Sequence, residues 1–353
     1  MGKISSCTEL LFWLGEISPL SETPSFVWRG NYSHLQQQAV NEWVESIEVN
    51  KSHLVNAVCG AGKTEIMFGA IETLLTKGHR IAVACPRTDV ILELAPRFQQ
   101  AFANCRIDVL YGGSEKPIGL GTITLATTHQ LYRYFQAFDT VIIDEADAFP
   151  YSANKSLVRA VKRALKPTGV IHYISATPNR SLTVDRETLI ARRFHGYPLP
   201  VPRFTKILRY QRQLNQGTIP KAIELWMHEN EVSNRPYLLF FPTVRMLSDF
   251  PGNSERVHSE HPLRKEYVQQ LRDGEINCLL TTTILERGIT IPNLQIGVIG
   301  SEQPIFTKQA LIQIAGRAGR SSEFPTGDVV FFHRGITDDM IQAKRTIEEL
   351  NQL

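Results

Sequence analysis

A chain of 353 residues exceeds what one ordinary core supports, so two domains are expected. With 42% apolar and 21% charged residues the chain is not intrinsically disordered. The formal net charge of +3 supplies no global field, so a nucleic-acid partner has to be met by local basic patches. Five cysteines (Cys7, Cys59, Cys85, Cys105 and Cys278) are scattered without a CxxC pair. That pattern speaks against a disulfide framework and a complete zinc site, and fits a reducing cytosol. No apolar run reaches the length of a membrane span. Leu10–Leu14 is too short for a secretory core and is flanked by Glu9 and Glu16. The expected location is cytoplasmic, with peripheral attachment at the inner face of the cell membrane left open.

Residues 1–27 form a poorly defined N-terminal segment, with Pro19, Ser21, Pro24 and Ser25 reading as loop. Ser33 is placed to N-cap a helix through Val40, Trp43, Val44 and Ile47. Gln36, just upstream of a glycine loop, offers both a donor and an acceptor to an adenine ring. The loop is Ala57-Val58-Cys59-Gly60-Ala61-Gly62-Lys63-Thr64, between the strand start Leu54-Val55 and a helical run, Glu65–Ile71. Strand, glycine loop, Lys-Thr and helix in that order make a phosphate-binding loop, with Ala57 where the usual pattern begins with Gly. Gly60, Ala61 and Gly62 let backbone N–H groups turn toward a polyphosphate, and the helix N-terminus adds partial positive charge. Lys63 would reach the β- and γ-phosphates, and the Thr64 hydroxyl would bind Mg²⁺.

Strands and helices then alternate. Arg80–Pro86 reads as a strand, Asp89–Phe102 as a helix, and short strands follow near Ile107–Tyr111 and Thr122–Ala126. A helix is expected over Thr128–Phe138, and strands at Val141–Ile143 and Val170–Ser175. This order predicts a parallel sheet covered on both faces, with its chemistry at the strand C-termini. Asp144-Glu145-Ala146-Asp147 ends one such strand. γ-Phosphate hydrolysis needs one carboxylate in the Mg²⁺ shell, the role for Asp144, and one to orient the attacking water, the role for Glu145. Ser175-Ala176-Thr177-Pro178 ends another, where hydroxyls can link a nucleotide site to a nucleic-acid site.

Pro198, Pro200 and Pro202 cannot lie within a regular element, which sets domain 1 at residues 28–197 and a Pro-rich basic linker at 198–212. Domain 2, residues 213–353, repeats the α/β alternation. Its expected strands are Tyr237–Phe241, Val257-His258, Cys278–Thr281, Gln295–Gly300 and Asp328–Phe332, with helices at Pro262–Asp273, Lys308–Ala315 and Thr337–Leu353.

With these residues in hand the chain resembles a superfamily 2 helicase. Gln313-Ile314-Ala315-Gly316-Arg317-Ala318-Gly319-Arg320 is similar to motif VI, and Thr281–Thr290 is similar to motif V. The resemblance implies two RecA-like P-loop domains, each a mostly parallel α/β sheet flanked by helices, with a nucleotide cleft between them. It adds Gln313, Arg317 and Arg320 to the catalytic residues Lys63, Asp144 and Glu145, with Arg320 as arginine finger. It also places Gly288 at the nucleotide. Arg87, Thr127, Thr128, His129, Thr243 and Thr282 become phosphate-backbone contacts. Gln313 and Ala315 resemble DNA-directed members of the superfamily.

Four stretches, Cys85–Arg97, Thr127–Tyr134, Asp147–Tyr151 and Thr283–Gly288, are similar to the bacterial competence ATPase family ComFA. That resemblance spans about residues 28–335. It implies an ATP- and Mg²⁺-using ATPase, stimulated by single-stranded DNA, that powers uptake of transforming DNA. The implied partners are ComFC, DprA and the membrane channel ComEC. Duplex unwinding in replication restart or repair stays open as an alternative. Members of this family commonly carry a four-cysteine zinc module ahead of the ATPase core. Here Met1–Cys7 looks like its tail and only Cys7 precedes Trp28, so no zinc is expected in this chain.

Two basic stretches stand apart from these motifs. Lys155, Arg159, Lys162, Arg163 and Lys166 share one helical face, and no acidic residue occurs between Asp147 and Asp185. Arg192, Arg193, Arg203, Lys206, Arg209 and Arg212 are interleaved with Phe194, Tyr197, Phe204 and Tyr210. Rings that stack on bases beside cations that follow phosphates suit a single strand, which makes Arg203 and Arg209 DNA-contact candidates. The competing expectation for this second stretch is a linker whose aromatics pack on the two domains.

Overall fold

Ser33 caps helix α1 (His34–Glu48) through a complete capping box with Gln36, as its position before an apolar-periodic run predicts. The computed structural model describes residues 26–115, 120–146, 154–176, 182–259, 261–283 and 291–353. They divide into two compact units, one holding residues up to Ala57 with Gly62–Ile190, the other Val58–Ala61 with Ala191–Leu353.

In the first unit α1 is followed by β1 (His53–Ala57), α2 (Lys63–Thr76), β2 (Ile81–Cys85), α3 (Thr88–Ala101), β3 (Ile107–Leu110) and β4 (Ile123–Thr127). A 3₁₀ turn at Thr128–Arg133 leads to β5 (Phe138–Ile143), α4 (Lys155–Ala164), β6 (Leu165–Ser175) and β7 (Arg186–Ile190). The strands pair in the order β3-β4-β2-β5-β6-β1-β7, every pair parallel. Every residue of β1, β2 and β4 is buried, as expected for a parallel sheet covered on both faces.

Behind β1, the fully buried Trp43 stacks on His53 at 6.2 Å. His53 bridges the Ser46 hydroxyl at 2.8 Å and the Thr188 hydroxyl at 3.0 Å. Burial pushes the His53 pKa down to about 4, although the Glu42 carboxylate pulls it the other way.

The helix expected over Thr128–Phe138 is instead the 3₁₀ turn followed by the start of β5. Phe138 is fully buried, with its ring 4.8 Å from that of Tyr134, and packing of that ring wins over helical periodicity. β7 had no apolar run to announce it. It is an edge strand with Arg186, Glu187 and Leu189 exposed, and charge on the open side of an edge strand hides the pattern.

The second unit contains β8 (Arg203–Lys206), α5 (Tyr210–Asn215), α6 (Lys221–Val232), β9 (Tyr237–Phe240), α7 (Val244–Ser248) and β10 (Arg256–Val257). It continues with α8 (Arg264–Asp273), β11 (Cys278–Thr281), β12 (Gln295–Ile299), α9 (Lys308–Ala315), β13 (Val329–His333) and α10 (Asp338–Gln352). Its sheet order is β10-β11-β9-β12-β13-β8, again parallel throughout. Trp226, Tyr237, Phe241, Phe250 and Phe332 dominate one core of this unit.

β8 lies inside the 198–212 stretch expected to be a linker. It pairs with β13, and the Arg203 guanidinium grips Asp328 through Nε at 3.0 Å and Nη2 at 2.9 Å. Tyr210, from the same stretch, is buried in the core. Phe204 stacks on Phe331 at 6.0 Å. The packing alternative therefore describes Phe204 and Tyr210. Arg203 serves a sheet-edge ion pair with Asp328 and stays partly exposed.

Candidate functional site

Because all first-unit strands run the same way, their C-terminal ends line one edge of the sheet. Along that edge stand, in order, the strand-terminal residues Thr127 of β4, Cys85 of β2, Ile143 of β5, Ser175 of β6 and Ala57 of β1. At about 4.8 Å per strand, β4 and β1 lie about 19 Å apart. The residues expected at the nucleotide follow β1 and β5, while Arg87 and His129, expected at nucleic acid, follow β2 and β4.

At the β1 end, Gly60 and Gly62 take φ values of 86° and 77°, conformations L side chains rarely adopt. The Ala61 N–H donates to Val58 O at 3.1 Å. Gly62 sits at the cap position of α2 in the left-handed conformation, where it supplies no side-chain cap. Lys63 Nζ donates to Ala57 O at 3.0 Å and so folds back over the loop. A loop turned by two left-handed glycines, with a lysine folded back on the same segment, suits a polyphosphate.

Gln36 is held beside this loop by the cap of α1. Its Oε1 accepts the Ser33 N–H at 2.8 Å, and a Cβ at Gly62 would collide with its Nε2. One end of the amide is thus engaged by the cap while the other faces the loop.

Thr64 Oγ1 accepts from Arg97 Nη1 of α3 at 3.0 Å, and Arg97 also pairs with Glu65. A hydroxyl has two acceptor lone pairs, so Arg97 leaves one for a hard cation. Sequence reasoning did not single out Arg97 as a site residue. Nothing local links positions 33 residues apart; only the packing of α3 beside α2 does.

At the β5 end Asp144 is buried, its N–H donating to Ala84 O at 2.8 Å and its Oδ1 accepting the Glu145 N–H at 2.9 Å. Glu145 has a φ of 55°. A non-glycine residue held left-handed is the kind of backbone strain that clusters at working sites. The Cys85 thiol donates to Glu145 Oε2 at 3.7 Å, fixing the carboxylate from the neighbouring strand. Asp144 is therefore a fitting Mg²⁺-shell carboxylate beside a second, positioned one.

The nucleic-acid candidates differ in access. Arg87 occupies the N-cap position of α3 without a side-chain cap bond and pairs with Asp89 at 3.4 Å. Thr127 and Thr128 are buried, and the Thr128 hydroxyl has no hydrogen-bond partner among the described residues, whereas His129 is exposed. Of this trio, His129 has the exposed side chain, while Thr127 and Thr128 present theirs to the interior. In the second unit Thr243 caps α7 by accepting from Met246 N at 3.1 Å. The Thr281 hydroxyl donates to Thr282 O at 3.0 Å. Arg209 is exposed, with a φ of 54°.

Thr307 caps α9 by accepting from Ala310 N at 3.3 Å, and this helix leads into the motif VI residues. Gln313 and Arg317 are buried, and Arg320 Nε donates to Gly316 O at 3.1 Å. Arg193, one of the basic residues expected near DNA, is 2% exposed. It donates to Ala318 O at 2.8 Å and to Gly319 O, so it braces the motif instead. Burial pushes its pKa down to about 10, with Cys59 opposing and Arg320 adding to the shift. Gly288 with the rest of 284–290, and Asp147, Thr177 and Pro178, lie outside the described residues.

Residues 30–180 match the family model described as type III restriction enzyme, res subunit, and residues 219–322 match the helicase conserved C-terminal domain. Competence protein ComFA of Bacillus subtilis (strain 168) is 44% identical over an alignment covering 100% of this chain and 79% of that protein. Competence protein ComFA of Streptococcus pneumoniae (strain ATCC BAA-255 / R6) is 36% identical, covering 92% and 78%. Among solved structures, S. cerevisiae Dbp5 bound to RNA and ADP BeF3 superposes with a TM-score of 0.66 at 16% identity, covering 90% of this chain and 87% of that one. RecG bound to a three-way DNA junction gives 0.59 at 16% identity, covering 91% and 45%. At that identity the likeness to these two structures is one of fold.

Proposed function

Since the chain belongs to the ComFA family of competence proteins, helicase-like enzymes that hydrolyse ATP, we propose that it is a single-stranded-DNA-stimulated ATPase that powers uptake of transforming DNA. The observation that carries this proposal is the order along one sheet edge. The phosphate loop and Asp144-Glu145 stand at β1 and β5, with Arg87 and His129 at the adjoining strands β2 and β4. A nucleotide site and a strand contact on one rigid sheet give a short path for coupling hydrolysis to DNA binding.

In this proposal Lys63 and the loop formed by Gly60, Ala61 and Gly62 hold the phosphates, and Gln36 reads the adenine. Thr64 and Asp144 hold Mg²⁺, which when bound neutralises charge on the phosphate oxygens. Glu145 orients the attacking water. Arg317 and Arg320 meet the charge that develops at the γ-phosphate, with Gln313 in the same catalytic set. A guanidinium in that role contributes about 10³–10⁵ in rate in related nucleotide hydrolases. Gly288, Thr243, Thr282 and Arg209 complete the proposed nucleotide and DNA contacts. ComFC, DprA and the channel ComEC are the proposed partners.

ATP turnover measured with no nucleic acid, with single-stranded DNA and with RNA tests this. Turnover is expected to rise with single-stranded DNA and far less with RNA, and Lys63→Ala is expected to abolish it without unfolding the chain. Equal turnover in all three conditions would refute the assignment.

A further inference from the structure

We propose that α4, together with the 3₁₀ turn that packs beside it, is a second binding surface for single-stranded DNA, carrying the strand beyond the sheet edge. This inference rests on the DNA-stimulated reading above. α4 buries Leu157, Ala160, Val161 and Ala164 against the sheet. On its opposite side Lys155, Arg159 and Lys162 are exposed at i, i+4 and i+7, and among the described residues none of the three has an ion-pair partner.

Folding alone does not account for this face. Like charges one turn apart destabilise a helix by about 0.2–0.5 kcal/mol per pair. Lys162 and Arg163 in the last turn suit the helix dipole, but Lys155 stands at the N-terminal end, where a cation opposes it. The other two cations of the expected stripe have partners. Lys166 pairs with Asp139 at 2.7 Å, and Arg163 donates to Tyr132 O at 3.2 Å. That leaves a cationic row of three without an ion-pair partner among the described residues, free to meet an anion from outside the chain.

Position selects the anion. Arg163 lies 6.0 Å over the Phe135 ring and, through Tyr132 O, ties α4 to the segment that begins at Thr128-His129. The exposed His129 after β4 and the exposed row on α4 thus belong to two packed elements, joined through Arg163 to the partly buried Tyr132 and Phe135. Cations beside rings suit a flexible polyanion whose bases can stack, which is single-stranded nucleic acid.

The test uses the full chain and the variant K155Q/R159Q/K162Q, which keeps side-chain bulk and removes three charges. Affinity for a fluorescent oligothymidylate is measured from low to high salt. For a single strand the log–log salt slope is about 0.7 per phosphate contacted, so the triple variant is expected to lose about 2 from the slope. Its DNA-free ATP turnover and thermal midpoint should match wild type. If the triple variant unfolds, Arg159→Gln alone carries the test, with an expected loss of about 0.7. An unchanged slope in a folded variant overturns the proposal, as does a variant that keeps DNA affinity but loses binding to vesicles containing phosphatidylserine. A wild-type chain that binds no single-stranded DNA overturns the underlying functional reading, and this surface with it.

Discussion

Gly62→Ala separates two physical costs at the phosphate loop. The first is backbone strain: at a φ of 77° an alanine Cβ crowds its own carbonyl, which costs about 1–2 kcal/mol. The second is collision with Gln36 Nε2. A free amide would swing away at little cost, but Gln36 Oε1 is committed to the Ser33 N–H at 2.8 Å. Displacing it opens the capping box of α1, worth about 1 kcal/mol. The sum, about 2–3 kcal/mol, corresponds to about 4–12 °C in the melting of the first unit. Thermal and denaturant unfolding of wild type, Gly62→Ala, Gln36→Ala and the double variant isolates the second cost. Removing the Gln36 side chain removes the obstacle, so the double variant should be about 1 kcal/mol more stable than the two single losses added together. Strictly additive losses, within about 0.3 kcal/mol, would refute the collision, and no loss in Gly62→Ala would refute both costs.

Arg320→Ala should leave nucleotide affinity within a few-fold of wild type and slow single-turnover hydrolysis by about 10³ or more; lost binding would remove it from the finger role. His53 gives a pH test. Its folded pKa of about 4 lies below its ordinary value of 6.5, so between those limits the unfolded chain binds the extra proton. Stability of the first unit should therefore be intact above pH 6.5 and fall as pH drops toward 4, by at most about 3 kcal/mol from this group. Denaturant midpoints against pH should lose about one linked proton in His53→Gln, and an unchanged slope would show that the imidazole is not held neutral by burial.

Local pattern fixes a good part of this protein. Glycines at 60 and 62 before Lys63-Thr64, an apolar run ending at Asp144-Glu145, and Ser33 three residues before Gln36 each encode their geometry within one turn or strand. Buried parallel strands announce themselves because both faces need apolar side chains. The edge strands Arg186–Ile190 and Arg203–Lys206 carry charge on their open sides, so no periodicity marks them. Their place came from pairing with β1 and β13. The same limit holds for side chains. Residue type alone put Arg193 and Arg203 with the DNA-facing cations. The fold gives one to the carbonyls of Ala318 and Gly319 and the other to Asp328. Arg97 on Thr64 and the Gln36 amide against Gly62 likewise join elements distant in sequence. A hydrogen-bond partner depends on which elements end within about 3 Å of each other, and that distance is set by packing of the whole sheet.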